Sequence, residues 1–312
     1  MDISVVIPLY NEAESLPELF SWIERVMKEH NYTYEVIFVN DGSTDNSWEV
    51  IEELKQRSPH VRGIKFRRNY GKSPGLHCGF QRAKGDVVIT MDADLQDPPA
   101  LLPQMLDTLL TGEYDCAATR RTTRKGEPPL RSWFARKFYQ IINKMSDTEI
   151  VDGARDFRLM SRRTLQALMA YPERNLFLRG MVSALGYPSA RVYYDRKERM
   201  AGESKYPFSK MLSFALDGIT SFSVRPLRYI SMLGLLFILI SLVAIAYGIV
   251  VYVEGNTIPG WTSLLVSVWF IGGTILMALG IIGEYVGKIY KEVKRRPRYF
   301  VEQTAGMQEP HD

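Results

Sequence analysis

Two long stretches without a charged residue, residues 229–253 and 261–283, set the strongest limit on what this chain can fold into. Each is longer than the about 20 apolar residues that an α-helix needs to cross a bilayer. Buried helices of a large soluble core are the alternative, but such helices are seldom this long and wholly uncharged. The sequence therefore predicts a soluble domain over residues 1–210 and two transmembrane helices within 229–290, at about 229–253 and 261–287.

The basic residues predict how these helices are oriented. Arg225 and Arg228 precede the first uncharged stretch, six Lys and Arg residues lie between 288 and 298, and the connecting residues 254–260 contain none. Because cytoplasmic flanks of membrane helices are enriched in Lys and Arg, we expect both termini and the soluble domain in the cytoplasm. Residues 1–8 lack the basic and long apolar regions of a signal peptide. Residues 211–228 then read as a juxtamembrane amphipathic segment and 291–312 as a basic cytoplasmic tail.

Before residue 100 the sequence alternates between short apolar runs and amphipathic segments. Strands are predicted at 3–9, 34–39, 61–66 and 87–89, with helices at 16–30, up to 55 and at 74–84. This order is typical of an α/β fold with a parallel-rich sheet and helices on both faces, as in Rossmann-like nucleotide-binding domains. The formal net charge of +4 argues neither for nor against nucleic acid, and we expect no nucleic-acid partner.

Three carboxylates crowd the end of the fourth predicted strand, in the run T-M-D-A-D-L-Q-D-P-P at 90–99. Asp92 and Asp94 are two residues apart, so on a regular strand they point to the same side. Without a cation two anions this close would repel, and Mg²⁺ commonly takes one or two carboxylates and completes its shell with substrate phosphates. The pair predicts a metal and phosphate site. For Asp97, a helix start before Pro98 and Pro99 remains an equal alternative.

Other polar side chains follow the neighbouring strands, where ligands of parallel sheets bind. The set comprises Pro8, Tyr10, Asn11, Glu12, Asp41, Arg68 and Lys72. There is no G-x-G-x-x-G or P-loop motif, so neither a usual dinucleotide fold nor a P-loop enzyme is indicated. Asp41 before Gly42 and Ser43 also suits a simple turn or helix cap.

Two later segments carry candidate residues for the acceptor side of a reaction. The basic stretch 120–137 contains Arg121 and Arg131, which suit phosphate binding because the guanidinium fork can bind two oxygens, although a solvated loop is the alternative. Asp152 and Asp156 are candidates for a general base or orienting group. The context D-F-R-L favours Asp156, unless it forms a structural pair with Arg155 or Arg158.

Six motifs together resemble the family 2 inverting glycosyltransferases with the GT-A fold. Within them the chain is similar to polyprenyl-phosphate (dolichol-phosphate-type) sugar transferases that carry two C-terminal transmembrane helices. The motifs are V-V-I-P-L-Y-N-E at 5–12, V-N-D-G-S-T-D at 39–45, N-Y-G-K at 69–72, M-D-A-D-L-Q-D-P-P at 91–99, D-F-R-L-M at 156–160 and G-E-S-K-Y at 202–206. The Q-x-x-R-W signature of processive polysaccharide synthases is absent.

The resemblance implies a role for each matching position. Nucleotide binding is expected of Pro8, Tyr10, Glu12, Asp41, Lys72, Asp92 and Ala93. Asp92, Asp94 and Gln96 would hold Mg²⁺ or Mn²⁺, and Asp94 and Asp156 would be the catalytic residues. The lipid phosphate would meet Arg121, Arg131, Arg199, Ser204 and Lys205.

The resemblance also implies an activity and a place for it. One sugar, with UDP-glucose as the best guess for its source, would pass with inversion to a polyprenyl phosphate at the cytoplasmic face of a bacterial inner membrane. The alternatives are transfer to another membrane lipid, such as a diacylglycerol, and a catalytically silent, membrane-anchored nucleotide-sugar binding protein. Membrane lipids are expected partners. A homo-oligomer is an open alternative, for which the sequence contains no coiled-coil heptad or other sign.

Overall fold

A computed structural model describes residues 2–96, 98–121, 154–173, 178–194, 223–254 and 260–307. The chain divides into two compact units. The first contains residues 1–140, 148–206 and 296–312, and the second contains 141–147 and 207–295.

The first unit begins with the predicted alternation of strands and helices. Its elements are β1 (Asp2–Leu9), α1 (Leu16–Glu29), β2 (Thr33–Asn40), α2 (Ser47–Arg57), β3 (Val61–Phe66), α3 (Lys72–Arg82) and β4 (Val87–Thr90). A 3₁₀ turn (Pro99–Leu101) and α4 (Leu102–Leu110) follow, then β5 (Cys116–Arg121), β6 (Ala154–Ser161), α5 (Arg162–Met169), α6 (Leu178–Ala184), β7 (Ser189–Tyr194) and, near the end of the chain, β8 (Val301–Ala305).

Within the described residues, eight strands form one sheet in the order β7-β5-β6-β4-β1-β2-β3-β8. The strands from β4 to β3 run parallel, as predicted. The antiparallel partners are β6 beside β4 and β5, and β8 beside β3. The central strands are apolar because both faces are covered: Ile3, Val5, Ile7, Val36 and Phe38 are fully buried. The sheet is therefore mixed α/β, as the GT-A resemblance implies, with parallel strands in its centre.

Residues near the end of the chain join the first unit, whereas the sequence predicted a separate basic tail at 291–312. β8 pairs with β3, with Ile64 opposite Thr304. The Phe66 and Tyr299 rings stack with their centroids 4.8 Å apart. A five-residue strand among charged residues has too little apolar periodicity to be recognised, and its pairing depends on a partner more than two hundred residues away.

The second unit contains two long helices, α7 (Arg225–Val253) and α8 (Trp261–Lys294). The Tyr285 hydroxyl donates a hydrogen bond to the Ser223 carbonyl over 2.6 Å. Within the part of the chain that the structure describes, one helical segment, Phe270–Lys294, is long and apolar enough to cross a membrane. The predicted pair of membrane helices is thus found as a pair of helices, with one candidate span.

Candidate active site

The parallel register brings the carboxyl ends of β1, β2 and β4 to one edge of the sheet. Leu9 lies opposite Asn40, and Val6 lies opposite Thr90. Backbone hydrogen bonds extend the pairing past the strand ends, from Asp41 N to Leu9 O over 2.9 Å and from Met91 N to Val6 O over 3.2 Å. The segments that follow these three strands therefore share the edge where ligands of parallel sheets bind.

Asn11 ties the segment after β1 to the segment after β2. Its backbone N–H donates to Ser43 Oγ over 2.9 Å, and its side-chain oxygen accepts from Thr44 N over 2.8 Å. Asn11 has a φ of 56°, a left-handed conformation in which asparagine is better tolerated than most residues. The sequence predicts Asn11 at the end of a strand but does not reveal this role or the part played by Ser43 and Thr44. Their signal is the polar turn N-D-G-S-T-D, whose partner only the fold reveals.

Asp41 is buried and fixes the loop before α3. Its two carboxylate oxygens accept the backbone N–H groups of Tyr70, over 2.7 Å, and Gly71, over 2.8 Å. Burial raises the pKa of Asp41, and these two hydrogen bonds oppose the rise. Gly42 turns the chain here with a φ of 69°, and a Cβ would strike the backbone of Arg68. Asp41 thus shapes the site, and each oxygen keeps a lone pair for a ligand.

α3 carries Lys72 at its first position and delivers it to the end of β4. Two glycines let this helix lie close to the sheet. A Cβ on Gly75 would come within 3.3 Å of Pro8, and one on Gly79 would clash with Val6. The Lys72 ammonium forms an ion pair with the Asp92 carboxylate. The edge thereby gains a cation that faces the predicted metal and phosphate site.

Acidic side chains gather around this ion pair. Burial raises the pKa of Glu12, the hydrogen bond from Ser15 lowers it, and the charges of Asp94, Asp45 and Asp92 raise it further. The Asp94 carboxylate accepts the Gln96 N–H over 3.2 Å, which closes a turn around Leu95 with a φ of 57°. Several anions held near one another favour a bound cation, because it would relieve their mutual repulsion.

These carboxylates suit a cation shared with a substrate better than one enclosed by protein. Among the described residues, no three His, Cys, Asp or Glu side chains are grouped to hold a metal ion. The two carboxylates that follow β4, Asp92 and Asp94, supply hard oxygen ligands. Mg²⁺ sites in nucleotide enzymes commonly use one or two carboxylates and take their other ligands from phosphates and water. The residues present therefore fit such a divalent ion.

Three other predicted site residues have buried side chains. Pro8 lies beneath Gly75, Ala93 belongs to the hydrophobic core, and Gln96 is 9% exposed. Contacts from Pro8 and Ala93 to a nucleotide would thus come from the backbone. Tyr10, by contrast, is 45% exposed at the end of β1, where a ring can stack on a ligand.

The predicted acceptor residues are only partly described. Asp156 lies on β6, two residues before Arg158, whose Cα is paired with Thr90 at the end of β4. The backbone of Asp156 is therefore on the strand beside β4. Arg121 is the last residue of β5. Asp97, Arg131, Asp152, Arg199, Ser204 and Lys205 lie outside the described residues.

Comparisons with known proteins agree on one family. The model of Glycosyl transferase family 2 matches residues 4–169. A bactoprenol glucosyl transferase of prophage SfII in Shigella flexneri is 40% identical over 305 residues, covering 97% of this chain and 98% of that protein. A prophage bactoprenol glucosyl transferase homolog of Escherichia coli is 38% identical, with 97% and 99% covered.

Among solved structures, glucosyl-3-phosphoglycerate synthase from Mycobacterium tuberculosis, in complex with Mn²⁺, UDP-glucose and phosphoglyceric acid, has a TM-score of 0.48. It is 20% identical and covers 72% of this chain and 79% of that one.

Proposed function

This chain belongs to glycosyl transferase family 2, and from that premise we propose that it transfers one sugar from a UDP-sugar, foremost UDP-glucose, to a polyprenyl phosphate. The observation that carries the proposal is similarity over nearly the whole chain to proteins named bactoprenol glucosyl transferases. The match includes the region of α7 and α8, so it extends beyond the nucleotide-sugar domain. The enzyme class, a glycosyltransferase, follows from the family itself.

The edge formed by β1, β2 and β4 would bind the nucleotide diphosphate. Glu12 and Asp41 are proposed to bind the base and ribose, and Tyr10 offers an exposed ring. Lys72 brings a positive charge to the diphosphate end of the site, beside Asp92. Asp92 and Asp94 would hold a divalent cation there, Mg²⁺ or Mn²⁺, which when bound supplies positive charge to the leaving group.

The reaction we propose is a single displacement. An oxygen of the lipid phosphate forms a bond to the anomeric carbon, while the bond from that carbon to the diphosphate oxygen breaks. The UDP leaves with the electron pair, and attack from the opposite side inverts the configuration. A phosphate acceptor is already ionised at neutral pH, so Asp156 would chiefly orient it. Arg121, Arg131, Arg199, Ser204 and Lys205 are proposed to bind the lipid phosphate.

The path of the chain supports an even number of membrane crossings. The chain leaves the first unit before α7 and returns to it after α8 as β8. If α7 and α8 both cross, the catalytic unit and the end of α8 lie on one side, and the flanking Lys and Arg residues favour the cytoplasm. We therefore propose a helix hairpin in the inner membrane. The nucleotide-binding site would then face the cytoplasm, where nucleotide sugars are made. Helices of 29 and 34 residues exceed the thickness of the hydrocarbon core.

A transfer assay with purified protein in lipid nanodiscs tests this function. We expect label from UDP-[¹⁴C]glucose to enter a phosphate-linked lipid when undecaprenyl phosphate and Mg²⁺ or Mn²⁺ are present, and excess EDTA to abolish the transfer. Diacylglycerol serves as the competing acceptor and GDP-mannose as the competing sugar source. Label on diacylglycerol alone, or UDP binding without any turnover across these substrates, would contradict the proposal.

A further inference from the structure

Residues 296–305, here called the C-terminal strap, connect the end of the first unit's sequence to β3 and α3. Arg67 N donates a hydrogen bond to the Phe300 carbonyl over 3.1 Å, next to the pairing of β8 with β3. The Tyr299 ring stacks on Phe66, and its hydroxyl donates to the Gln81 side chain near the end of α3. The strap therefore touches both the sheet and the helix that carries Lys72.

The side chain of Arg298 joins the strap to two other segments of the first unit. One terminal nitrogen donates to Nε2 of His77, in the middle of α3. The other donates to the carbonyl of Pro172 over 3.1 Å and to that of Glu173. Because a guanidinium only donates, His77 must accept through Nε2 and keep its proton on Nδ1. A single half-buried side chain thus joins the strap, α3 and the segment that follows α5.

Arg298 joins α3, which carries Lys72 on the nucleotide side of the proposed site, to residues 172–173, which follow the strand that carries Asp156 on the acceptor side. α3 begins with Lys72, which meets Asp92, and His77 lies five positions later, about 7.5 Å along the helix axis. The segment with Pro172 and Glu173 continues from β6 and α5, and β6 carries Asp156. Asp41 holds the residues just before α3 by accepting from Tyr70 N and Gly71 N, and Arg298 holds the middle of the helix at His77.

We propose that Arg298 is a positioning residue for nucleotide-sugar binding. By holding His77 against the backbone at 172–173, it fixes the position of α3 along the sheet and thereby keeps the Lys72 ammonium at Asp92 and the diphosphate. The strap directly follows α8 in the chain, so the segment that leaves the second unit also sets the geometry of the nucleotide site. This inference rests on the proposed function, since it requires that a nucleotide diphosphate bind beside Lys72.

The first test compares two arginines of the same segment. Arg298→Met keeps the length of the side chain and removes every donor, and Arg296→Met makes the same change at an exposed position. Titration calorimetry with UDP and Mn²⁺ on the full-length protein measures nucleotide binding without turnover. We expect Arg298→Met to weaken UDP binding roughly fivefold to tenfold, which is within the range of interaction energies found for residues that share a hydrogen-bond network. Arg298→Lys should recover part of the loss, and Arg296→Met should bind as wild type.

A double-mutant cycle separates positioning from a general loss of stability. If Arg298 acts through Lys72, Arg298→Met should weaken UDP binding no further once Lys72→Gln is present. The KM for the UDP-sugar should rise in the same proportion, with the KM for undecaprenyl phosphate nearly unchanged. Equal losses in both backgrounds, or a lower melting temperature with wild-type UDP affinity, would overturn the inference. If Arg298→Met does not fold, the same cycle is run with Arg298→Lys.

Failure of the proposed function gives a different result. Wild-type protein that binds no UDP in the presence of Mn²⁺ would contradict the nucleotide site itself, and the inference would fall with it. Wild-type protein that binds UDP as tightly as Arg298→Met would contradict the positioning role alone.

Discussion

The two ends of the central sheet both carry acidic side chains, but they hold them in opposite ways. At the amino ends of β1 and β2, the Glu35 carboxylate accepts from Ser4 Oγ over 2.6 Å and Lys84 N over 2.7 Å, and it pairs with Arg62 over 2.9 Å. At the carboxyl ends, burial raises the pKa of Glu12, the hydrogen bond from Ser15 lowers it, and the charges of Asp94, Asp45 and Asp92 raise it further.

This difference distinguishes structural acids from acids that serve a ligand. A buried carboxylate surrounded by its own donors stabilises the fold, because each hydrogen bond is made within the protein. Carboxylates gathered against their mutual repulsion cost stability, so their placement requires another reason. Removal of an acidic group should therefore cost stability at the amino end, whereas at the carboxyl end it should cost activity without costing stability.

The largest expected effect is on catalysis at the carboxyl end. Asp92→Asn should lower kcat/KM for sugar transfer by roughly 10²- to 10³-fold, as when a group facing developing charge is removed. Its melting temperature should stay near that of wild type, because its side chain is partly exposed and surface ion pairs contribute little. Asp86→Asn, at the exposed start of the same strand, is the matched control and should transfer normally. Full activity in Asp92→Asn would refute the assignment of that carboxylate.

Next in size is a loss of stability at the amino end. Glu35→Ala should lower the free energy of unfolding by about 2 kcal/mol, because Ser4 and Lys84 N lose a buried acceptor and Arg62 loses its partner. The kcat of the folded fraction at low temperature should be unchanged. Thermal unfolding followed by circular dichroism and initial-rate kinetics measure the two quantities. A lower kcat without a lower melting temperature would remove the contrast between the two ends.

A smaller effect is expected for the link between the segments after β1 and β2. Asn11→Ala should lower the free energy of unfolding by about 1 kcal/mol more than Asn31→Ala does. Asn31 has a similar left-handed φ, 54°, so this control carries the same backbone cost without the hydrogen bonds to Ser43 and Thr44. Equal losses in the two variants would mean that backbone conformation explains the whole effect.

The smallest effect is a gain of stability at the carboxyl end. The raised pKa of Glu12 means that the folded protein disfavours its ionised form, so ionisation costs stability above the folded pKa. Glu12→Gln should therefore raise the melting temperature at pH 7 by roughly 2 °C. The gain should shrink as the pH falls through the raised folded pKa and vanish below the ordinary glutamate value, where both states are protonated. A gain that persists in acid would exclude a charge effect.

Local pattern was sufficient to predict the first half of the fold. The predicted bounds of β3 matched Val61–Phe66, and the predicted alternation gave the parallel direction of β1 to β4 because each element carries its own periodicity. The positions of Asp92, Glu12 and Asp41 at strand ends followed from the same pattern.

Contacts between distant segments could not be predicted in this way. Asp41 was expected to face a ligand, yet it also holds Tyr70 and Gly71, because the loop before α3 folds back onto β2. The antiparallel pairing of β6 with β4 and the pairing of β8 with β3 depend on which edge of the sheet is available. No periodicity within either segment reports that choice.

The position of β8 in the chain has a consequence for synthesis of the protein. The outer edge of β3 receives its neighbour from residues 301–305, which leave the ribosome after both apolar helices. Until then, the hydrogen-bonding groups of that edge are open to other chains. A version cut before residue 225 would keep the edge open permanently, so we expect it to aggregate unless the missing strand is supplied as a peptide.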